Sequence, residues 1–200
     1  VDLNKFLYFE SNQSSSHGCS SNLLNFFSHL PHLQSLEIRC CFLKYLAAGV
    51  VPVKFPTSCI NLNYLRLSIR FKHLKEISAV LCLLRSSPNL RKIELYGTKE
   101  EDEGTSLLAH LTHLTHVSYC WKDVFSVPTI PLGVRNVRIV DISGTKFELN
   151  LIKFLLLYSP LLEHMYVKLS INVKPKLMTK LNRFRRASRQ VEVIFDGKTK

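Results

Sequence analysis

Three histidines at intervals of three residues are the first candidates for chemistry in this chain. His110, His113 and His116 have a spacing found in some metal sites. The apolar residues Leu111 and Leu114 recur at the same interval, so the histidines are the positions between buried ones and need not converge on one point. We therefore predict neither a metal site here nor a cofactor.

No local sequence pattern indicates an enzyme active site. The sequence has no glycine-rich phosphate-binding loop and no G-x-S-x-G nucleophile elbow. Nothing points to a nucleophile or to a pair of catalytic carboxylates. The segment Arg185-Arg186-Ala187-Ser188 resembles a basophilic kinase site and part of a nuclear localisation patch, but both motifs are short. The sequence predicts a protein that is not an enzyme.

The composition is that of a folded domain with an uneven positive charge. Hydrophobic residues make up 46% of the 200 residues, which excludes a chain that is disordered throughout. No apolar run approaches the roughly 20 residues that cross a bilayer. The net charge is +12, and the segment from Lys168 to Lys200 contains ten basic residues against two acidic ones. We interpret this tail as the solvated face of a terminal helix, with contact to an anionic partner as the alternative.

The chain contains six cysteines, and no two of them have the C-x-x-C spacing. Because charged residues near the start exclude the core of a signal peptide, we expect reduced thiols. The sequence therefore predicts a cytoplasmic or nuclear protein with no membrane partner.

The strongest organising signal is an internal repeat. A kernel of the form apolar-x-x-apolar-x-apolar recurs six times at steps of 20 to 29 residues, the period range of leucine-rich repeats. The last two apolar positions lie two residues apart, so they share one face of a short strand. This pattern predicts an α/β fold, a leucine-rich-repeat solenoid with a parallel sheet on the concave face and helices or irregular segments on the convex face. The kernels are Leu33/Leu36/Ile38, Leu62/Leu65/Leu67, Leu90/Ile93/Leu95, Leu114/Val117/Tyr119, Val134/Val137/Ile139 and Leu162/Met165/Val167.

Segments between the kernels have apolar stripes at helical spacing. The predicted helices are Ser21–Leu30, with Ser20 as its N-cap, His73–Leu84 and Phe147–Tyr158. Pro88 and Pro160 follow the second and third of them and force the chain out of the helix. The units that contain these two prolines align at an offset of 72 residues.

The strand residues between the apolar positions define a predicted binding face. Adjacent strands lie about 4.8 Å apart, so Glu37, Arg66 and Glu94 are expected to pair laterally and to neutralise part of the surface. Tyrosine is enriched at binding hot spots, which makes the tyrosines of this face the stronger anchor candidates. The alternative is that these are ordinary exposed strand residues. The predicted partner-binding residues are Tyr64, Arg66, Lys92, Tyr96, His116, Arg138, His164 and Tyr166.

A series of motifs in the C-terminal third occurs in a specific order. They are Val140-Asp-Ile-Ser-Gly144, Glu148-Leu149, Ile152-Lys-Phe-Leu-Leu156, Ser159-Pro160-Leu-Leu-Glu163, Leu181-Asn-Arg-Phe184-Arg-Arg-Ala-Ser188 and Val191-Glu-Val-Ile-Phe195. With Leu43–Gly49 and Leu83–Leu90 upstream, the chain resembles plant F-box/FBD/LRR-repeat proteins from about Leu30 to Gly197. Arg185 replaces a proline that is frequent in this family.

The resemblance implies two domains: irregular leucine-rich repeats in residues 1–125, and an FBD domain in residues 126–200 that continues the stack and caps it. We expect the last helix to run from Lys176 to Arg186 and the last strand from Val191 to Phe195. The resemblance also implies a function as the non-catalytic, substrate-recognition portion of an F-box type SCF ubiquitin ligase receptor, which acts by proximity.

An F-box docks the adaptor subunit of such a ligase, and no F-box pattern is visible in this chain. We therefore expect the adaptor as a partner only if an F-box lies upstream of Val1; the target protein is unknown. The alternative is a stand-alone repeat module that binds an anionic partner, an acidic protein or the less expected nucleic acid, through the basic C-terminal tail. A degenerate fragment without activity is the remaining alternative.

Overall fold

The computed structural model describes residues 22–28, 30, 32–98, 125, 130–170 and 176–196. Six strands form one open parallel sheet, in which the spatial order follows the order along the chain. The strands are β1 (Ser35–Ile38), β2 (Tyr64–Ile69), β3 (Lys92–Gly97), β4 (Asn136–Ile142), β5 (His164–Leu169) and β6 (Glu192–Asp196). The helices are α1 (Asn22–Ser28), α2 (Cys40–Leu46), α3 (Leu74–Ser86), α4 (Lys146–Tyr158) and α5 (Lys176–Asn182).

The apolar positions of the kernels form the core on one face of this sheet. The strand residues of all five described kernels are buried, and the pairing register places equivalent positions side by side. Because side chains alternate between the two faces of a strand, every second residue points to the opposite face. This α/β architecture with a parallel sheet agrees with a leucine-rich-repeat type of fold. One row of the core consists of Leu36, Leu65, Ile93, Val137 and Met165, continued by the partly buried Val193.

Within the described residues, the same unit of strand, helix and strand occurs twice. β2, α3 and β3 begin at residues 64, 74 and 92, whereas β4, α4 and β5 begin at residues 136, 146 and 164, which is 72 residues later in each case. Equivalent backbone bonds precede the second strand of each unit: the N–H of Arg91 donates to the carbonyl of Asn63 at 2.9 Å, and that of Glu163 donates to Arg135 at 2.8 Å. The offset predicted from the sequence is therefore confirmed.

One buried carboxylate fixes the start of the helix in each unit. Glu76, which is 2% exposed, accepts a hydrogen bond from the backbone N–H of Arg70 at 2.9 Å and forms an ion pair with its guanidinium. Glu148 lies 72 residues later and accepts the backbone N–H groups of Ser143 at 3.2 Å and Thr145 at 2.6 Å. The two carboxylates lie in the first turns of α3 and α4, where the helix dipole favours negative charge.

β3 pairs directly with β4, and this contact joins the two units into one sheet. The close approach depends on Gly97, because a Cβ atom at this position would lie 2.8 Å from the carbonyl oxygen of Asp141. Asp141 has a positive φ of 64°, and the register between β4 and β5 shifts between Ile139 and Ile142, as in a β-bulge. The third and fifth kernels are thus neighbours, whereas the fourth kernel and His116 lie outside the described residues.

Several element bounds differ from the sequence predictions. α2 was not predicted as a helix, because its seven residues are too few for a clear periodicity. The predicted last helix is too long: α5 ends at Asn182, since Leu181 is its last buried residue and the next buried position is Ser188. The last strand is confirmed with a shift of one residue. Ser20 lies outside the described residues.

The sheet continues across the predicted domain boundary at residues 125 and 126, through the pairing of β3 with β4. The division into a repeat domain and an FBD domain stays a prediction.

We expect Leu67→Ala to lower the free energy of unfolding by about 2–5 kcal/mol, since Leu67 is fully buried in β2 and the substitution leaves a cavity. Ser68→Ala is the matched control, because the next residue points to the opposite face, and its effect should stay within about 0.5 kcal/mol. Urea unfolding of both variants measures the difference. Equal losses would contradict the assignment of the two faces.

Candidate protein-binding site on the open face of the sheet

The outward positions of the six strands form a surface that we call the open face. Its central row contains, in register across the sheet, Glu37, Arg66, Glu94, Arg138, Tyr166 and Ile194. The rows on either side contribute Tyr64, Lys92 and His164, and Ser68, Tyr96, Lys168 and Asp196. Because these positions alternate with the core residues, the hydrophobic pattern that builds the sheet also determines which side chains reach this face.

Glu94 is the centre of a cluster on β2 and β3. Its side chain is only 10% exposed, and its two carboxylate oxygens have different donors. The ammonium group of Lys92 lies 2.8 Å from Oε1, and the hydroxyl of Tyr96 donates to Oε2 at 2.9 Å. The Lys92 ammonium also lies 5.2 Å from the ring centroid of Tyr64. We call Tyr64, Arg66, Lys92, Glu94 and Tyr96 the Glu94 cluster.

Arg66 connects β1, β2 and β3 on the open face. Its guanidinium nitrogens lie 3.9 Å from a carboxylate oxygen of Glu37 and 3.8 Å from one of Glu94. The guanidinium carbon lies 4.7 Å from the ring centroid of Tyr96. The lateral pairing predicted from the alternating charges is therefore confirmed for this part of the sheet. Ion pairs this exposed contribute little to stability, so their main effect is to neutralise and orient the side chains.

The charges in the Glu94 cluster change one another's protonation equilibria. Burial alone would raise the pKa of Glu94, but the hydrogen bonds from Lys92 and Tyr96 and the positive charges of Lys92 and Arg66 outweigh it, so the pKa is lowered. The pKa of Lys92 is raised, chiefly by its hydrogen bond to Glu94. Burial, followed by the nearby charge of Glu94, raises the pKa of Tyr64. At neutral pH the cluster therefore contains the Glu94 carboxylate, the cations of Arg66 and Lys92, and the neutral phenol of Tyr64.

A second group of side chains lies on β4, β5 and β6. The Arg138 guanidinium carbon lies 5.0 Å from the ring centroid of Tyr166. The hydroxyl of Tyr166 donates to the Asp196 carboxylate at 2.6 Å, and His164 lies 3.5 Å from a carboxylate oxygen of Glu192. We call these five residues the Arg138 group.

The structure thus places seven of the eight predicted binding residues on the open face, in two groups. The eighth, His116, lies outside the described residues. Sequence reasoning missed the contributions of Glu192, Ile194 and Asp196, because β6 lacks an apolar residue at the first kernel position, where Gln190 stands. The alternation of Val191, Val193 and Phe195 is the signal that places them. That these residues bind a partner stays a prediction.

Other candidates for chemistry contribute no site in the described part of the chain. Within these residues no group of histidine, cysteine, aspartate and glutamate side chains has a metal-binding arrangement. Burial raises the pKa of the Cys82 thiol to about 12, so it is protonated at neutral pH. Ser188 of the kinase-like motif is 4% exposed and donates to the carbonyl of Leu162 at 2.6 Å, which removes it from the reach of a kinase.

Membrane insertion was excluded from the sequence on the length of its apolar runs. None of the helices in the described ranges has the length and apolar character required of a membrane span.

We expect Glu94→Gln to lower the free energy of unfolding at pH 7 by about 0.5–1 kcal/mol, because the charge of the acceptor for the half-exposed Lys92 ammonium is lost. The pKa of Glu94 is lowered by folding, so its contribution is complete above the ordinary value of 4.5 and is lost as the pH falls through the folded value. The difference between wild type and variant should therefore shrink in acid. Urea unfolding at pH 7 and pH 3 measures it.

Glu192→Gln is the control for this experiment, since the Glu192 side chain is 64% exposed and its removal should change stability little at either pH. A loss for Glu94→Gln that is as large at pH 3 as at pH 7 would contradict the role given to its charge.

Comparison with known proteins finds a similar sequence. The chain is 30% identical over 183 residues to an F-box/FBD/LRR-repeat protein of Arabidopsis thaliana. The match covers 87% of this chain and 41% of the relative, so the chain spans less than half of the relative's length. No family model matches the chain. No solved structure matches it either. This match confirms the resemblance predicted from the motifs: the chain is similar to an F-box/FBD/LRR-repeat protein.

Proposed function

We propose that this chain is the substrate-recognition, protein-binding portion of an F-box type SCF ubiquitin ligase receptor. The open face holds a target protein, and other subunits transfer ubiquitin to it. The chain itself is non-catalytic in this proposal, and its contribution to the reaction is to bring the target close to the transferring subunits. The name of the Arabidopsis relative supports the assignment to this kind of receptor.

The observation that carries the proposal is the composition and fixed geometry of the open face. Tyrosine and arginine dominate binding hot spots, and on this face Arg66 stacks on Tyr96 and Arg138 stacks on Tyr166. Stacking and hydrogen bonding restrict these side chains before any partner arrives, so little side-chain entropy remains to be lost on binding. A regular strand surface with such side chains suits the capture of a protein better than the capture of a small molecule.

The proposal includes the arrangement that the family implies. The strands form the concave face of a leucine-rich-repeat solenoid, and the FBD region, residues 126–200, continues the stack and caps it. The cap protects the core at the end of the sheet, as terminal repeats do in solenoids. The SCF adaptor is a partner only through an F-box upstream of Val1, and the protein works in the cytoplasm or the nucleus.

We expect Tyr64→Ala to raise the dissociation constant for a captured target by about tenfold or more, because the ring is an anchor of the open face. The chain, fused to the F-box of another receptor, is used to capture a protein from an extract of the source organism. The purified target is then titrated with wild type and variant by calorimetry, and its ubiquitylation is followed in a reconstituted ligase.

Leu161→Ala is the control, because Leu161 is a large exposed apolar residue, 49% exposed, in the turn before β5 and not on the open face. The proposal requires ubiquitylation by wild type and control, and its loss in Tyr64→Ala. A target that binds both variants equally well, or that binds tightly without being ubiquitylated, would contradict it.

A second candidate function rests on the segment from Lys180 to Arg189. Its five cations are exposed, they have no ion-pair partner among the described residues, and the segment contains no acid. Ala187 and Ser188 fix it to the fold, through hydrogen bonds to the carbonyls of Leu156 and Leu162. Such a surface suits an acidic protein or nucleic acid as partner. The five cations are Lys180, Arg183, Arg185, Arg186 and Arg189.

If this segment binds nucleic acid, affinity should fall steeply with salt, since neutralised phosphates release counterions. Fluorescence anisotropy with a labelled DNA duplex and a labelled single-stranded RNA, at 50 and 200 mM salt, measures it. Arg183→Gln should weaken binding to either probe. Affinity that does not change with salt, or that does not change in the variant, would reject this second function.

A further inference from the structure

The side chains of the central row of the open face alternate in charge over four strands, and the alternation stops at the fifth. From β1 to β4 it contains Glu37, Arg66, Glu94 and Arg138, each in register with the next. On β5 the register places Tyr166 beside Arg138, where an acid would continue the alternation. The alternation of charge therefore ends at Arg138, which has an acidic register neighbour, Glu94, on one side only.

Arg138 differs from Arg66 in its access to carboxylates. Arg66 has Glu37 and Glu94 within 4 Å, whereas no carboxylate among the described residues lies within that distance of Arg138. Glu94, its register neighbour, is not available, since its oxygens are engaged by Lys92 and Tyr96. Arg138 is also exposed. Within the part of the chain that the structure describes, no carboxylate pairs with its fork of N–H donors, which can therefore bind an anion above the sheet.

The guanidinium of Arg138 is nevertheless held in place. It lies over the ring of Tyr166, whose own orientation is fixed by the 2.6 Å hydrogen bond from its hydroxyl to Asp196. Stacking on an aromatic ring leaves the edge of the guanidinium free, and this edge matches the two oxygens of a carboxylate. On β6, two strands from Arg138, Ile194 is 46% exposed and lies in register with Tyr166, so it adds an apolar side chain on the far side of the stacked ring.

We propose that Arg138 is a specificity-determining residue that binds the carboxylate of an aspartate or glutamate in the target protein, with Ile194 contacting an apolar neighbour of that acid. The bound carboxylate takes the place that Glu37 and Glu94 occupy beside Arg66. This inference rests on the proposed protein-binding function and narrows it to targets that present an acidic segment.

The test uses a random library of 12-residue peptides displayed on phage and selected against the wild-type chain. We expect the selected peptides to share an acidic residue beside an apolar one. For the best peptide, fluorescence anisotropy should show that Arg138→Gln lowers the affinity about tenfold or more. Arg91→Gln, an exposed arginine that is not on the open face, is the matched control and should leave the affinity unchanged.

The acidic residue of the peptide is then changed to its amide. This change should cost the same affinity as Arg138→Gln, and the two changes together should cost no more than either alone, because they remove the same contact. Arg138→Lys keeps the charge but lacks the planar fork, so it should bind with intermediate affinity. Thermal melting of each variant confirms that the fold is retained.

The outcomes distinguish a failure of this inference alone from a failure of the protein-binding function on which it rests. Selected peptides that lose binding in Tyr64→Ala, but have no acid and do not respond to Arg138→Gln, would overturn the role of Arg138 and leave the protein-binding function in place. Acid-dependent binding that is lost in Arg183→Gln and kept in Arg138→Gln would move the site to the basic segment and also overturn it. A peptide that binds only when its acid is replaced by phosphoserine would overturn the choice of a carboxylate. No selected peptide at all would count against both proposals.

Discussion

The structure depends on the in-register stacking of apolar side chains from neighbouring parallel strands. In the row from Leu36 to Met165 each residue packs beside the equivalent residue of the next strand. Because side chains alternate along a strand, a slip of one residue would expose the whole row and bury the charged face. The register is therefore fixed by the hydrophobic effect, and the arrangement of charges on the open face follows from it.

That fixed register explains why the open face has two different halves. On β2 and β3, opposite charges lie side by side, and Glu94 forms ion pairs with Arg66 and Lys92. On β4 and β5, a tyrosine stands where the next acid would be, so among the described residues Arg138 is oriented by stacking on Tyr166 and has no ion-pair partner. The first half is neutralised internally, and the second half has a positive group available. In the proposed function, a partner protein would contact the tyrosine rings across the open face and would pair an acidic group with Arg138.

Much of the fold was predictable from the sequence, because the kernel pattern and the offset of 72 residues are local and repeated. The outward columns and the pairing of Arg66 follow from that pattern, whereas the last strand, which lacks the first kernel position, was expected from the resemblance. α2 was missed because seven residues carry too little periodicity, and α5 was predicted too long because burial after Leu181 depends on contacts distant in sequence. The direct contact of β3 with β4 was also not predictable, since it depends on the close approach of Gly97 to Asp141. The β-bulge at Asp141 was not predictable either, because the hydrophobic pattern of the sequence does not indicate it.

The central claim is that the open face, and not the basic segment, contacts the target. Hydroxyl-radical footprinting of the chain, alone and with a captured target, tests it most directly, because aromatic side chains react readily and each can be followed by mass spectrometry. The account predicts reduced modification of Tyr64, Tyr96 and Tyr166 in the complex, with Phe184 in the basic segment unchanged. Protection of Phe184 with no change at the three tyrosines would contradict it.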